Sequence, residues 1–387
     1  MASEGPLADV PIEHEEVHAE LTSDSERSAV DSSMDEDEGS VAPHVGRKIV
    51  MVTGVAGFIG SNFIRRWLEA HPGDRLVNLD ALTYAGNRAT LRDLEKRDDY
   101  RFVHGDVRDA GLLNQLFEEE GFDTVVHFAA ESHVDRSILG PSAFVETNVR
   151  GTFVLLEAAR AAWSPAPENA RFLHVSTDEV YGTLSPEDPP WTEASPYEPS
   201  SPYSATKAAS DHLVRSYIHT FELPALITHC TNNYGPYQFP EKLIPLMTLN
   251  ALMGKALPIY GDGLQVRDWL HVEDHCDAIT AVIERGRIGE TYDVASGEGH
   301  TNLEIVHRIL ACVDRLHPEQ APRDHLITHV TDRLGHDRRY AIDPAKIVTE
   351  LGWRPRHEFE SGIEATVAWY LENEGWWTRI LDGSYRD

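Results

Sequence analysis

The stretch Lys48-Ile49-Val50-Met51-Val52-Thr53-Gly54-Val55-Ala56-Gly57-Phe58-Ile59-Gly60 leaves this chain little choice of fold. An apolar strand, a glycine turn and a helical pattern from Ser61 through Leu68 open a dinucleotide-binding unit. Gly54 permits the tight turn, Gly57 lets backbone approach a pyrophosphate, and Gly60 lets helix and strand pack closely. The helix amino end offers unpaired N–H groups to phosphates. A second strand, residues 76–80, ends in Asp80, twenty residues after Gly60. An acid there accepts hydrogen bonds from the adenosine ribose and disfavours a 2′-phosphate, which points to NAD over NADP. A strand-end cap is the plainer use of the same residue.

Apolar runs continue the pattern at residues 100–104, 124–128, 171–175 and 225–230, alternating with helical segments. The expected fold is α/β: a Rossmann-type, doubly wound parallel sheet with a smaller mixed α/β carboxyl-terminal substrate lobe. Small residues after the fourth strand, Ala129 and Ala130, let cofactor ribose and phosphates pass close to the backbone. His127, inside that strand, reads as a core histidine. Asn148 opens the helix that runs through Ala162.

The fifth strand leads into Ser176-Thr177-Asp178-Glu179-Val180-Tyr181-Gly182. Two adjacent carboxyls then sit at the sheet edge where ligands bind in open α/β folds. A solvated loop could carry such a pair, but an enzyme needing one acid and one base has a specific use for it. Further on, Tyr203 and Lys207 stand four residues apart on a helical pattern that begins after Pro202. An ammonium beside a phenol favours the phenolate, which could take a hydroxyl proton while hydride leaves for NAD. Beyond residue 225, short strands and many Pro and Gly suggest a lobe folded over the crevice. Its Lys242, Arg267 and Arg333 suit an anionic substrate, or else pair with neighbours such as Asp268. Trp376 and Trp377 read as lobe packing.

Charge narrows the class of partner. The chain holds 64 acids against 34 Lys plus Arg, a net −30, which repels nucleic acid and anionic membranes. Residues 1–44, with the run Asp35-Glu36-Asp37-Glu38, have the composition of an acidic disordered tail. Residues 45–225, with parts of 226–300, form the expected NAD-binding domain, interleaved with a substrate lobe over about 235–387. Three cysteines, Cys230, Cys276 and Cys312, lack metal-ligand spacing and imply a reducing compartment with no disulfide framework and no bound metal. Without an apolar run of about 18 residues or an apolar leader, the expected location is cytoplasmic.

Together these motifs resemble the extended short-chain dehydrogenase/reductase superfamily and, within it, the dTDP-glucose 4,6-dehydratase family. The resemblance runs from about residue 48 to 380. It is carried by residues 53–60, 79–87, 129–137, 176–182, 203–207, 232–245, 261–269 and 335–343. Residues 295–302 and Val55 depart from the family pattern. The resemblance implies that Tyr203, aided by Thr177 and Lys207, deprotonates the glucose 4-hydroxyl as hydride passes to NAD. Glu179 then removes the C5 proton, Asp178 protonates the leaving C6 hydroxyl, and hydride returns to C6. It also implies NAD contacts from Phe58, Ile59, Leu82, Thr83, Asp106, Val107 and Asn233. Nucleotide-sugar contacts are implied for Ser132, His133, Asn232, Asn233, Leu243, Pro258, Tyr260 and His336, with Thr177 and the three cations. A homodimer is implied as well, with helices near Asn148 and Asp211 packing across its axis. UDP-sugar 4-epimerases and UDP-glucuronate decarboxylases share the scaffold but need no acid for a C6 hydroxyl. A non-catalytic NAD-binding scaffold would have no use for Tyr203, Lys207 and the acid pair.

Overall fold

The computed structural model describes residues 47–386. The acidic tail expected over residues 1–44 lies outside them. The described residues form one compact unit.

Twelve strands are present among the described residues: β1 (Ile49–Thr53), β2 (Arg75–Asp80), β3 (Tyr100–His104), β4 (Thr124–His127), β5 (Arg171–Thr177), β6 (Ala225–Cys230), β7 (Asn232–Tyr234), β8 (Leu257–Tyr260), β9 (Val266–His271), β10 (Thr291–Val294), β11 (Gly299–Thr301) and β12 (Ile327–Val330). Seven make a sheet in the order β10-β6-β5-β4-β1-β2-β3, every neighbouring pair parallel. Parallel strands covered on both faces favour apolar side chains all along them, which is why β1, β4 and β6 are mostly apolar, with Thr53, Thr124, His127, Thr228 and His229 as buried polar exceptions. One face packs on Phe63, Ile64 and Trp67 of the helix Phe58–Ala70 and on Cys276, Ile279 and Val282 of the helix Val272–Arg285. The other packs on Leu113, Leu116, Leu155 and Val214 of three further helices.

Strand order reverses between β1 and β4, so a crevice opens at the carboxyl ends of those two strands. The backbones meet closely there. Gly54 has φ +76°, and a Cβ on it would lie 2.7 Å from the Ala129 amide nitrogen. Gly54→Ala is therefore expected to destabilise the fold by roughly 1–3 kcal/mol, read as a lowered thermal midpoint.

A smaller body covers the crevice. It contains a three-stranded sheet, β11-β9-β7, and the pair β12-β8. Its core joins Tyr234, Ile244, Trp269, Ile305 and Phe359. Trp377 packs with Leu249 and Tyr370, and the Trp376 indole donates to Thr90 Oγ1 at 3.0 Å. β6 and β10 belong to the large sheet although β7, β8 and β9 of the small body lie between them in sequence.

One expectation needs correcting. Asn148 does not open a helix: it sits inside a π-helical stretch, Val145–Gly151, that leads into the helix Thr152–Ala162. Its buried side chain accepts from Glu131 N at 2.8 Å and donates to Glu131 O and Thr206 Oγ1 at 3.0 Å. Asn148 thus ties the loop after β4 to the helix Pro202–Phe221. Among the described residues, no helix is long and apolar enough to cross a membrane.

Candidate active site

The strand ends and the small body enclose a cleft of about 700 Å³. β5 enters it through Thr177, whose extended backbone (φ −140°) caps a 3-10 turn over Asp178–Tyr181. Glu179 N donates to Thr177 Oγ1 at 3.3 Å. This turn sends Asp178 inward, 2% exposed, and leaves Glu179 half-buried on the cleft wall.

The two neighbouring carboxyls sit in unlike fields. Burial pushes Asp178 well above the usual carboxylate range, and the charge of Glu179 adds to the shift. Its Oδ2 is buried without a hydrogen-bond partner. Burial also raises Glu179, but Arg333, Arg267 and Lys242 all pull it back toward the ionised form. A deeply buried acid therefore stands beside a second carboxyl that three cations favour in its ionised form, an arrangement suited to paired acid and base work.

Tyr203 and Lys207 share a face of the helix Pro202–Phe221, which starts with Pro202 at its first turn. A Ser201–Ser204 capping box closes its amino end. Tyr203 and Thr177 line the same cleft. The expected lowering of the phenol by Lys207 is not what the protein's own groups produce. Burial and then Glu179 raise Tyr203 well above its ordinary value, with Thr177 pulling the other way. Lys207 Nζ instead donates to Val175 O at 2.8 Å, and burial brings it down to about 8.

The cations are not absorbed by neighbours. Arg267 donates to Val266 O and Asp337 O, each at 2.8 Å, and lies 4.1 Å over the Tyr340 ring. Asp268 is occupied instead by Thr231, Ser296 and Gly297. Lys242 donates to Ser132 O at 3.0 Å. Arg333 has only Asp135, 3.9 Å away, as an ion-pair partner among the described residues, and its buried Nε is unpaired. Ser132, His133, Asn232, Leu243, Pro258, Tyr260 and His336 line the same cleft. Asn233 lines it too, with its amide donating to Thr231 O and its Oδ1 facing His275 Nδ1, both at 2.9 Å.

The other end of the cleft is lined by Gly54, Gly57, Phe58, Ile59, Gly60, Asp80, Thr83, Asp106, Val107, Ala129 and Ala130. These residues fit a dinucleotide. The amino end of the helix Phe58–Ala70 has no side-chain cap, so its N–H groups remain free for phosphate. Asp80 accepts from Ala56 N and Leu82 N, both at 2.8 Å. A carboxylate has about four acceptor sites, so this fixes its pose and leaves capacity for a ribose. Leu82 is the exception among the expected contacts. It does not line the cleft: its φ of +49° aims its N–H at Asp80, and its side chain packs on the core.

Of the cleft residues that escaped sequence reasoning, three bring polar groups to the substrate end. Asn302 stands at the start of a helix whose Thr301–Glu304 capping box dominates its sequence signal. Tyr340 is buried beneath Arg267, and Trp269 brings an indole N–H that lacks a partner. Both lie inside motifs that carried the resemblance, yet neither has a spacing that marks a ligand contact.

Comparison with known proteins agrees with this geometry. A family model described as GDP-mannose 4,6 dehydratase matches residues 51–366. The dTDP-glucose 4,6-dehydratase of Xanthomonas campestris pv. campestris is 58% identical over 343 residues, covering 87% of this chain and 97% of that protein. A crystal structure of the Streptomyces venezuelae dTDP-glucose 4,6-dehydratase with NAD bound superposes with a TM-score of 0.80 at 50% identity. It covers 86% of this chain and 99% of that one. The UDP-glucose 4-epimerase of Thermus thermophilus, solved with NAD, has a TM-score of 0.74 at 29% identity, covering 84% and 99%. The chain belongs to the nucleotide-sugar 4,6-dehydratase family of the extended short-chain dehydrogenases/reductases, alongside the dTDP-glucose 4,6-dehydratases.

Proposed function

We propose that the chain converts dTDP-glucose to dTDP-4-keto-6-deoxyglucose with recycled NAD. The observation that carries this reading is the acid pair in unlike fields beside Tyr203: Asp178 buried with an unpaired Oδ2, and Glu179 facing Arg333, Arg267 and Lys242. Oxidation at C4 followed by loss of water across C5 and C6 needs that acid and that base at once. An epimerase leaves both without a task.

When bound, NAD supplies an acceptor that takes hydride from C4 and returns it to C6, and its oxidised ring brings positive charge that helps the Tyr203 phenol ionise. Tyr203 takes the 4-hydroxyl proton, with Thr177 holding the phenolic oxygen. Glu179 removes the C5 proton, which the adjacent C4 ketone has acidified. Asp178 gives its proton to the C6 oxygen, which leaves as water. Glu179 then returns a proton to C5. Lys242, Arg267 and Arg333 hold the diphosphate, and Asn302 and Trp269 offer polar atoms to the rest of the nucleotide. The free helix N-terminus after Gly57 and the fixed Asp80 carboxylate hold the dinucleotide.

The same reading divides the chain into an NAD-binding domain, residues 45–225 with parts of 226–300, and an interleaved substrate lobe from about 235. It places the protein in the reducing cytoplasm, which suits its three free, buried thiols. It includes a homodimer. Asn148 and Asp211 are themselves buried, so the dimer face falls to the exposed Leu139, Val145, Phe153 and Phe221 around them.

The test is incubation with dTDP-glucose followed by alkali, in which a 4-keto-6-deoxy product develops ultraviolet absorbance. Product from GDP-hexoses alone, as the family model's description would suggest, overturns the nucleotide assignment. No product from any nucleotide hexose overturns the dehydratase reading. Asp80→Asn is expected to lower the NAD retained through purification by roughly tenfold, because a carboxylate bonds ribose hydroxyls more strongly than an amide. Assay of NAD released on denaturation checks this.

A further inference from the structure

Behind the cleft lies a polar cluster that the proposed chemistry does not use. His229, on β6, is fully buried between β5 and β10. Its Nδ1 is 3.0 Å from Asp293 Oδ1 and 2.9 Å from the Tyr181 hydroxyl. Its Nε2 is 3.0 Å from Asp211 Oδ2 and 2.9 Å from the Tyr197 hydroxyl. The phenols donate outward to the same carboxylates: Tyr181 to Asp293 at 3.1 Å and Tyr197 to Asp211 at 3.0 Å. Each end of the ring therefore meets one carboxylate oxygen and one phenol oxygen whose proton is already committed.

A neutral imidazole has one N–H and one lone pair. With both carboxylates ionised, its lone pair would face a buried anion at 3.0 Å. An imidazolium donates one N–H to each acid and offsets one of the two negative charges. Burial opposes that charge, but Asp211 and Asp293 outweigh it and raise His229 to about 9; burial raises Asp293 in turn, and the hydrogen bond and charge of His229 pull it back toward the ionised form.

Other charged groups border this cluster. His174 on β5 brings its Nε2 within 3.2 Å of Asp211 Oδ1, but burial lowers it to about 4 and keeps it neutral. Arg215, on the same helix as Asp211, donates to the Tyr197 hydroxyl at 2.8 Å. Glu193 accepts from the Asp293 backbone N–H at 3.0 Å, and Lys346 acts on Asp293 from beyond it. None of these is a donor to both carboxylates.

The cluster joins the two pieces that carry the chemistry. Tyr181 is the last residue of the 3-10 turn that begins with Asp178 and Glu179. Asp211 lies one helical turn after Lys207 on the helix that begins Pro202-Tyr203. It also accepts from Ser176 Oγ at 3.0 Å, immediately before Thr177. We propose that His229 is a positioning residue: held as a buried imidazolium between Asp211 and Asp293, it clamps the Asp178–Glu179 turn against the Tyr203–Lys207 helix. The inference rests on the dehydratase reading for its effect on rate, while the charge state of His229 is independent of it. The substrate-facing cations lie elsewhere, so loss of the clamp acts on turnover and spares affinity.

The experiment compares wild type, His229→Asn, Asp293→Asn and the double variant, all as full-length chains. Histidine-labelled NMR of the wild type is expected to show one ring with both nitrogens protonated at pH 8, a signal missing from His229→Asn. The single His229→Asn change leaves two buried acids without their shared cation. Its kcat is expected to fall ~10–100-fold with KM within about twofold. Adding Asp293→Asn removes the surplus acid and lets neutral amides bridge the same elements, which restores kcat to within about threefold of wild type, a coupling that independent sites would not show. Should His229→Asn fail to fold, Tyr181→Phe detaches the turn from an intact ion cluster and is expected to lower kcat in the same way. A neutral His229 ring at pH 7, or His229→Asn with unchanged kcat, overturns the proposal. So does a loss of kcat that the double variant fails to reverse. A wild type inactive on every nucleotide hexose overturns the dehydratase reading instead, and the ring signal still reports on His229.

Discussion

A Glu179→Gln variant is expected to form product from dTDP-glucose ~10²–10⁴-fold more slowly than wild type. Oxidation at C4 does not use Glu179, so absorbance of the reduced cofactor accumulates toward one equivalent per site while no alkali-sensitive product appears. Glutamine keeps the size of the side chain and its capacity to accept a hydrogen bond, but it cannot take the C5 proton. It also removes the charge that helps raise both Asp178 and Tyr203. Phenol ionisation then becomes easier, which favours the first half-reaction and sharpens the split between oxidation and elimination. Rapid mixing with absorbance detection separates the two phases. Wild-type rates of product formation in this variant would remove Glu179 as the base.

The parts of this fold that could be read in the sequence are those where one local pattern has one structural solution. Parallel strands buried on both faces are mostly apolar, so β1, β4, β5 and β6 announce themselves by their Val, Ile, Leu and Phe despite a few buried polar residues. The glycine turn is legible because the Gly54 backbone has to lie against Ala129. The acid pair, Tyr203 and Lys207 could be listed for the same reason: their spacing places them at a strand end and on one helix face. What stayed hidden depends on contacts between distant segments. β10 is four residues long and joins the large sheet only because β6 offers it an open edge, more than sixty positions earlier. Asn148 looked like a helix start, because its link to the loop at Glu131 has no local signature. The surroundings of Tyr203 were legible only in part: Lys207 is adjacent on the helix, but its bond to Val175 O and the burial of the phenol beside Glu179 come from other segments. His229, inside an apolar strand, gave no sign that two carboxylates and two phenols from four other segments converge on it.

Asp178→Asn is expected to cost as much activity as Glu179→Gln, ~10²–10⁴-fold, because the C6 oxygen then has no proton donor. It should also make the protein more stable. Burial, followed by the charge of Glu179, holds Asp178 protonated in the fold well above the usual carboxylate range, whereas the unfolded chain ionises it near pH 4. Between those two values the unfolded state binds fewer protons than the native one, so stability falls as pH rises across that window. Asparagine has no proton to lose and escapes the penalty. The thermal midpoint of Asp178→Asn should therefore match wild type near pH 4 and exceed it at neutral pH, by roughly a degree or two. A variant that is inactive but no more stable at pH 7 than wild type would mean that Asp178 is ionised in the native protein. The acid would then have to be sought elsewhere on the cleft wall. A gain in stability together with a loss of turnover shows that the buried carboxyl is kept for its proton and against the stability of the fold.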